Sequence, residues 1–210
     1  FDTPESLKQA GIDAINANDT HYTPVAGTVR VREAISKKFK RDNGLDYAPD
    51  QIVVSNGAKQ SIANVVLSIV NPGDEVILPA PYWVSYAEIV KLAKGVPVVL
   101  PTSIYDDYKI KPEALAAAIN EKTRMVIYSS PCNPSGSVYT LEETQAIAEV
   151  LLQNDNIITI SDEIYELINF TPKHASLAGI PGMMDRVVTV NGVSKGFAMT
   201  GWRLGYIGAT

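Results

Sequence analysis

The sequence predicts an α/β protein, a three-layer α/β/α arrangement around a mostly parallel seven-stranded sheet. Three observations carry this expectation. Short runs rich in Val and Ile alternate with longer stretches of helical period, which is the pattern of repeated βαβ units. The runs are apolar throughout instead of alternating with polar residues, as strands covered on both faces require. The chain has 210 residues, 46% of them hydrophobic and 20% charged, enough for one large domain with a sizeable core.

The elements follow in order. Helices are expected over 5–17 and 28–42, then a strand in "QIVVS" (51–55). A helix over 58–70 runs into "NPGDE" (71–75), where proline and glycine end it. Next come the strand "EVILP" (75–79), a helix over 83–94, the strand "VPVVL" (96–100) and a helix over 112–120. The strand "RMVIYS" (124–129) precedes a helix over 140–153 that opens on "TLEE", a capping box in which Thr140 and Glu143 satisfy each other's backbone N–H groups. Three strands close the series: "NIITIS" (156–161), "RVVTVN" (186–191) and "RLGYIG" (203–208). No repeat, low-complexity segment or linker interrupts them, so residues 1–210 read as one domain. The chain starts at Phe1 without a methionine and stops just past a strand-like run, so both ends read as cut and the sequence as a fragment.

Charge and cysteine content narrow the function classes. A formal net charge of −5 argues against a nucleic-acid surface, so a small anion must be drawn in by local cations and not by the net field. No apolar run reaches the roughly 18 residues of a membrane helix, and no secretory signal is seen. The single Cys132 excludes an internal disulfide. These features point to a cytoplasmic protein without membrane or nucleic-acid partners.

In open α/β sheets chemistry collects in loops beyond the carboxyl ends of the strands. Those loops here are "NGAK" (56–59), "APYW" (80–83), "SPCNPSG" (130–136), "DEIY" (162–165) and "GVSK" (192–195). "SNGAKQ" joins a strand to a helix whose first-turn N–H groups could hold a phosphate, with Lys59 adding a cation; a plain strand-to-helix turn accounts for the same residues. It is neither a P-loop nor a dinucleotide fingerprint, which disfavours a nicotinamide-dependent oxidoreductase. In "SPCNPSG", Pro134 restricts Asn133, so its amide could be aimed rigidly at a site; an Asx turn is an equal reading. Cys132 reads as a small hydrophobe, since neither His21 nor His174 is placed to activate it. Asp162 directly follows a buried strand, where a carboxylate needs a donor or cation, although it could simply cap the turn that contains Tyr165. Glu163 and Glu166 read as solvated. Lys195 follows a strand in the same way; a lysine desolvated in a site loses its proton readily and becomes a Schiff-base nucleophile, whereas alone it would be a loop lysine. Arg203 is expected to open the last buried strand, facing an anion.

Together these residues form a set that pyridoxal phosphate needs: an amine, a carboxylate for the ring nitrogen, donors for the phenolic oxygen, an aromatic face and a dianion site. The segments "HYTPVAG", "SNGAKQ", "APYWVSY", "SPCNPSG", "SDEIYE" and "SKGFAMTGWRLGY" resemble, in order and over Tyr22 to Tyr206, the class I aminotransferases of PLP fold type I, most closely the prokaryotic (type Ib) aspartate aminotransferases. The resemblance implies that Lys195 is the Schiff-base lysine and moves the substrate proton. It implies that Asp162 pairs with the pyridine nitrogen, that Asn133 and Tyr165 hydrogen-bond the phenolic oxygen, and that Trp83 stacks on the ring. The phosphate would rest on the backbone of Gly57, Ala58 and Lys59 beside Arg203, and Tyr22 would reach the phosphate of a neighbouring subunit in a homodimer with shared sites. Many family members carry a phosphate-binding serine where Gly192 stands; Lys59 is expected to supply the missing contact.

The resemblance further implies aspartate:2-oxoglutarate amino transfer in ping-pong half-reactions on amino-acid and 2-oxo-acid substrates, with no metal. Aromatic, alanine or prephenate aminotransferases, a carbon–sulfur lyase, and the PLP-sensing module of a transcription regulator share most of the set. The family's small carboxy-terminal domain, with its substrate-carboxylate arginine, and an amino-terminal closing segment lie outside the matched residues. Residues 1–210 are therefore expected to be the cofactor-binding large domain, poorly active by itself.

Overall fold

The computed structural model describes residues 1–171 and 173–210. Seven strands form one sheet: β1 (Ile52–Ser55), β2 (Glu75–Ala80), β3 (Val96–Pro101), β4 (Thr123–Ser129), β5 (Ile158–Asp162), β6 (Val187–Gly192) and β7 (Gly205–Gly208). Six α-helices accompany them: α1 (Glu5–Asn16), α2 (Val29–Lys38), α3 (Ala58–Ile69), α4 (Ser85–Leu92), α5 (Pro112–Ala118) and α6 (Leu141–Leu152). The strand order is β1-β7-β6-β5-β4-β2-β3, parallel except for β7, which runs antiparallel between β6 and β1. Every strand and helix the sequence predicts is present, so the α/β expectation holds.

Alternation along each strand sends side chains to both faces and makes two cores. In β4, Val126 and Tyr128 join Ile35 of α2, Leu115 of α5 and Ile147 and Leu151 of α6 on one face. Met125 and Ile127 join Ile62 and Val66 of α3 and Ile89 and Val90 of α4 on the other. This is the predicted three-layer arrangement, with buried, continuously apolar strands in the middle. The Thr140–Glu143 capping box opens α6 with both reciprocal bonds formed. Among the described elements, α1 buries no residue; it lies against the far end of the chain, where Thr3 bonds the Ala198 carbonyl and the Trp202 ring covers Gly11.

Most boundaries shift by one or two residues, and two further differences have packing reasons. The helix predicted over 28–42 is α-helical only to Lys38 and then widens into a π-turn, Phe39–Asn43, ended by Gly44 at φ 70°. The wide turn lets the fully buried Phe39 ring pack edge-on against Tyr47 and Tyr206. The last strand begins at Gly205, not at Arg203. Arg203 is an exposed residue in the left-handed conformation, φ 56°, separated from the ladder by Leu204.

Candidate active site

The carboxyl ends of β4, β5 and β6 face a cavity of about 180 Å³ roofed by the start of α3 and by α4. Ala58, Lys59, Trp83, Asn133, Asp162, Tyr165, Lys195 and Arg203 all line it, so eight of the predicted residues, drawn from six separate segments, meet in one place. Three cations surround one carboxylate there, which creates a local positive field in a protein whose net charge is −5. Tyr22 is fully exposed and lies outside this cavity.

Local geometry explains each position. Asp162 is the last residue of β5, in register with Ser129 of β4 and Val190 of β6, and only 4% of it is exposed. Its Oδ1 accepts the Ile164 N–H at 3.2 Å, and its Oδ2 accepts the Tyr86 hydroxyl at 2.5 Å. Burial pushes the Asp162 carboxyl above its ordinary range, while the Tyr86 and Ile164 hydrogen bonds oppose the shift and Lys195 also favours the charged form. Tyr86 itself is buried, and desolvation followed by the Asp162 charge holds its phenol well above the usual value, so it stays a donor.

Sequence reasoning missed Tyr86. It lies inside "APYWVSY" one helical turn after Trp83, and that (i, i+3) spacing was the available signal. Trp83 meets the Tyr86 ring edge-on at 5.6 Å between centroids, and Lys59 Nζ sits 4.9 Å above the Trp83 ring.

Glycine sets the geometry at the start of α3. Gly57 adopts φ +88°, and a Cβ built there would run into the Arg203 guanidinium. Glycine thus lets Arg203 lie against the helix start, where its guanidinium donates to the carbonyls of Thr200 at 2.7 Å and Asn56 at 3.3 Å. The Gly57 N–H, however, turns back onto the Ser55 carbonyl at 2.8 Å. Gly57 therefore supplies conformation, and the free donors are the first-turn N–H groups of Ala58 and Lys59, which have no intrahelical partner. A Cβ at Gly192 would lie 2.9 Å from the Leu204 carbonyl oxygen, so close strand packing explains this glycine without reference to phosphate.

Lys195 stands three residues past β6 in a tight turn, with Ala198 N–H bonding its carbonyl at 3.2 Å. It is exposed, in contrast to the expected desolvation. Its Nζ lies 5.6 Å from the Tyr165 ring centroid, on the rim facing Asp162.

Glu163 and Glu166 are not solvated, contrary to expectation. Glu163 is fully buried on the opposite side of β5 from the cavity, its Oε1 held by the Ser161 and Ser176 hydroxyls at 2.8 and 2.7 Å. Its Oε2 meets His174 Nε2 at 2.9 Å. Glu166 pairs with Lys38 and accepts Asn43 Nδ2 at 2.7 Å. Burial alone would lower the His174 pKa, but the hydrogen bond and charge of Glu163, with Glu166 behind it, outweigh this and raise it. These two glutamates and His174 could geometrically hold a metal. Lys38 already serves as their cation, so the group reads as an ion network joining the π-turn to the "DEIY" loop. Cys132 is a partly buried free thiol near the Pro81 carbonyl.

Comparisons with known proteins identify the family. The family model for aminotransferase class I and II matches residues 1–210. A bifunctional aspartate aminotransferase and glutamate/aspartate-prephenate aminotransferase of Petunia hybrida is 56% identical over 99% of this chain and 43% of its own length. An aspartate/prephenate aminotransferase of Nitrosomonas europaea is 50% identical, over 99% of this chain and 53% of its own. The crystal structure of the Rhizobium meliloti aspartate aminotransferase superposes with a TM-score of 0.98 at 44% identity, covering all of this chain and 53% of that one. An aromatic aminotransferase from Pyrococcus horikoshii gives 0.97 at 42%, covering all of this chain and 56% of that one. The chain thus spans about half the length of the relatives it matches. With a family model that matches it over its whole length, the chain belongs to the aminotransferase class I and II family.

Proposed function

We propose that the protein is a pyridoxal 5′-phosphate-dependent aminotransferase, and that residues 1–210 are its cofactor-binding large domain. The observation that carries this reading is the convergence of Lys195, Asp162, Arg203 and the α3 amino terminus on one cavity. The donor set fits the group. A buried carboxylate suits a protonated ring nitrogen, a helix start with a flanking guanidinium suits a dianion, and an amine on the rim suits an aldehyde.

The residues take distinct tasks. Ala58 and Lys59 N–H groups, with Arg203, bind the phosphate and fix the cofactor's position. Asp162 accepts a hydrogen bond from the ring nitrogen and keeps it protonated. Asn133 and Tyr165 orient the phenolic oxygen, and Trp83 covers the ring. Once bound, the cofactor supplies a carbonyl carbon that condenses with amines and a ring that withdraws electron density from the substrate Cα. The Lys195 amine would then serve as the base that moves the substrate Cα proton. Tyr22, fully exposed and away from its own cavity, is assigned to the phosphate site of a second copy in a homodimer.

Aspartate and 2-oxoglutarate are the proposed substrates, and the relatives' names add prephenate as a second amino acceptor. A cytoplasmic location accords with the described residues, among which no helix is long and apolar enough to cross a membrane. Titration of the full-length protein with pyridoxal phosphate should produce a visible absorption band that Lys195→Ala abolishes. Aspartate should then be consumed only when a 2-oxo acid is present. Keto-acid release without an acceptor would indicate a lyase, and absence of any band would defeat the reading.

A further inference from the structure

We infer that Tyr86 is a positioning residue for Asp162: its phenol holds the buried carboxylate ionised and aimed into the cavity before any ligand arrives. The inference rests on the pyridoxal phosphate reading for its consequence, but its geometry stands in the chain itself.

A carboxylate 4% exposed at a strand end has lost its water and must recover donors from the protein. Asp162 has two: a longer bond from the Ile164 N–H, at 3.2 Å, and a short one from Tyr86, at 2.5 Å. The phenol is the stronger partner and, among the described residues, the only side-chain donor to this carboxylate. It is itself fixed on three sides. Its backbone lies in α4, buried against the sheet, its ring edge meets Trp83, and Ser129, in register beside Asp162 on β4, is within reach of its oxygen. The phenol therefore cannot swing away, and burial keeps it protonated. With one lone pair on each oxygen engaged, Asp162 keeps its remaining acceptor capacity for the open side, the cavity.

The chemical consequence concerns where a shared proton sits. A nitrogen heterocycle facing Asp162 binds as a cation–anion pair only if the carboxylate is the weaker base. Each donor on Asp162 weakens it as a base and favours that charge-separated pair. Burial already raises the carboxyl against the pull of the phenol; without the phenol it would rise further and stay protonated to higher pH. Tyr86 thus governs the pH at which the site accepts a protonated ring nitrogen, through Asp162 and without touching the ligand.

The test uses the full-length protein and two ligands that cannot form a Schiff base: pyridoxine 5′-phosphate and its 1-deaza analogue, which has a carbon in place of the ring nitrogen. Calorimetric affinity is measured across pH for wild type and Tyr86→Phe. The phosphate titrates alike in both ligands, so the difference between their profiles isolates the nitrogen. Tyr86→Phe should move the acid limb of that difference upward by about one pH unit, the worth of a hydrogen bond to a charged group, while leaving the deaza analogue's affinity within about twofold. Site-specific 3-fluorotyrosine at position 86, a stronger donor of nearly the same shape, should move the limb downward. Equal losses for both ligands, or an unmoved limb in both variants, would overturn the role of Tyr86. Failure of wild type to bind either ligand would instead overturn the cofactor reading.

Discussion

Gly205→Ala tests whether the anion cradle depends on backbone contact between β7 and the start of α3. Gly205 opens β7 and is flanked in register by Gly192 on β6 and Ser55 on β1. A Cβ there would collide with the backbone of Gly57 and Ala58, lying 2.8 Å from Ala58 Cα and closer still to two other backbone atoms. Ordinary carbon contacts are about 3.5–4.0 Å, so the helix start must retreat by about 1 Å. Backbone cannot rotate aside as a side chain can, which places the cost near the top of the overpacking range, at about 3 kcal/mol. For a domain of this size that corresponds to a fall in Tm of ~6–12 °C. The same retreat displaces the Ala58 and Lys59 N–H groups from Arg203, so affinity for pyridoxal phosphate should drop by about 10- to 100-fold, the worth of a hydrogen bond to a charged group. Differential scanning calorimetry of the unloaded protein and a spectrophotometric cofactor titration measure the two effects separately. A Tm within 1–2 °C of wild type, about the spread of neutral surface changes, combined with unchanged affinity would refute the close-approach argument.

Other outcomes follow from the same geometry. Lys59→Ala should weaken pyridoxal phosphate binding by about tenfold, more at low salt, because a phosphate contact is lost while the backbone cradle persists; equal affinity would show that Lys59 serves only as a lid on Trp83. Asp162→Asn should raise the Tm of the unloaded protein at neutral pH. The folded-state pKa of Asp162 is raised, so its contribution favours folding below pH 3.8 and is lost as pH rises through the folded value; an unchanged or lower Tm would contradict this. His174 also has a raised folded pKa. Its stabilisation is complete below pH 6.5 and declines as pH climbs through the higher folded value, so denaturant midpoints should fall over that window in wild type and not in His174→Gln. Tyr22→Ala and Lys195→Ala should each be inactive alone and regain activity on subunit exchange, since one mixed site is then intact; no recovery would exclude a shared site.

Much of this was legible in the sequence because local signals agreed with the global fold. Strands such as "RMVIYS" and "NIITIS" could be covered only on both faces, and the loops after them could be read for polar groups that turns do not need. What failed to show was contact between distant segments. Tyr86 carries no signal of its own in the sequence, because its hydroxyl acquires meaning only when the fold sets Asp162 beside it. Glu163 and Glu166 follow a strand and look solvated; their partners Lys38, Asn43, Ser176 and His174 come from two other stretches of chain. Arg203 read as a strand residue because "RLGYIG" is apolar, yet the close approach of Gly205 to the α3 backbone delays the ladder until that glycine.

The position of β7 bears on when a nascent chain can first capture an anion. The strand that separates β1 from β6 is made of residues about 150 positions after β1, and Arg203 arrives with it. During synthesis, therefore, the loop of Gly57 to Lys59 emerges early and remains without its guanidinium and without a β neighbour until almost all of the sheet has left the ribosome. Pairing so remote in sequence is entropically slow to close. Supplying pyridoxal phosphate to a stalled chain that ends before residue 203 should consequently give no protection from protease, whereas a chain released past residue 208 should gain it; β7 would then be the step that commits the domain to the proposed ligand.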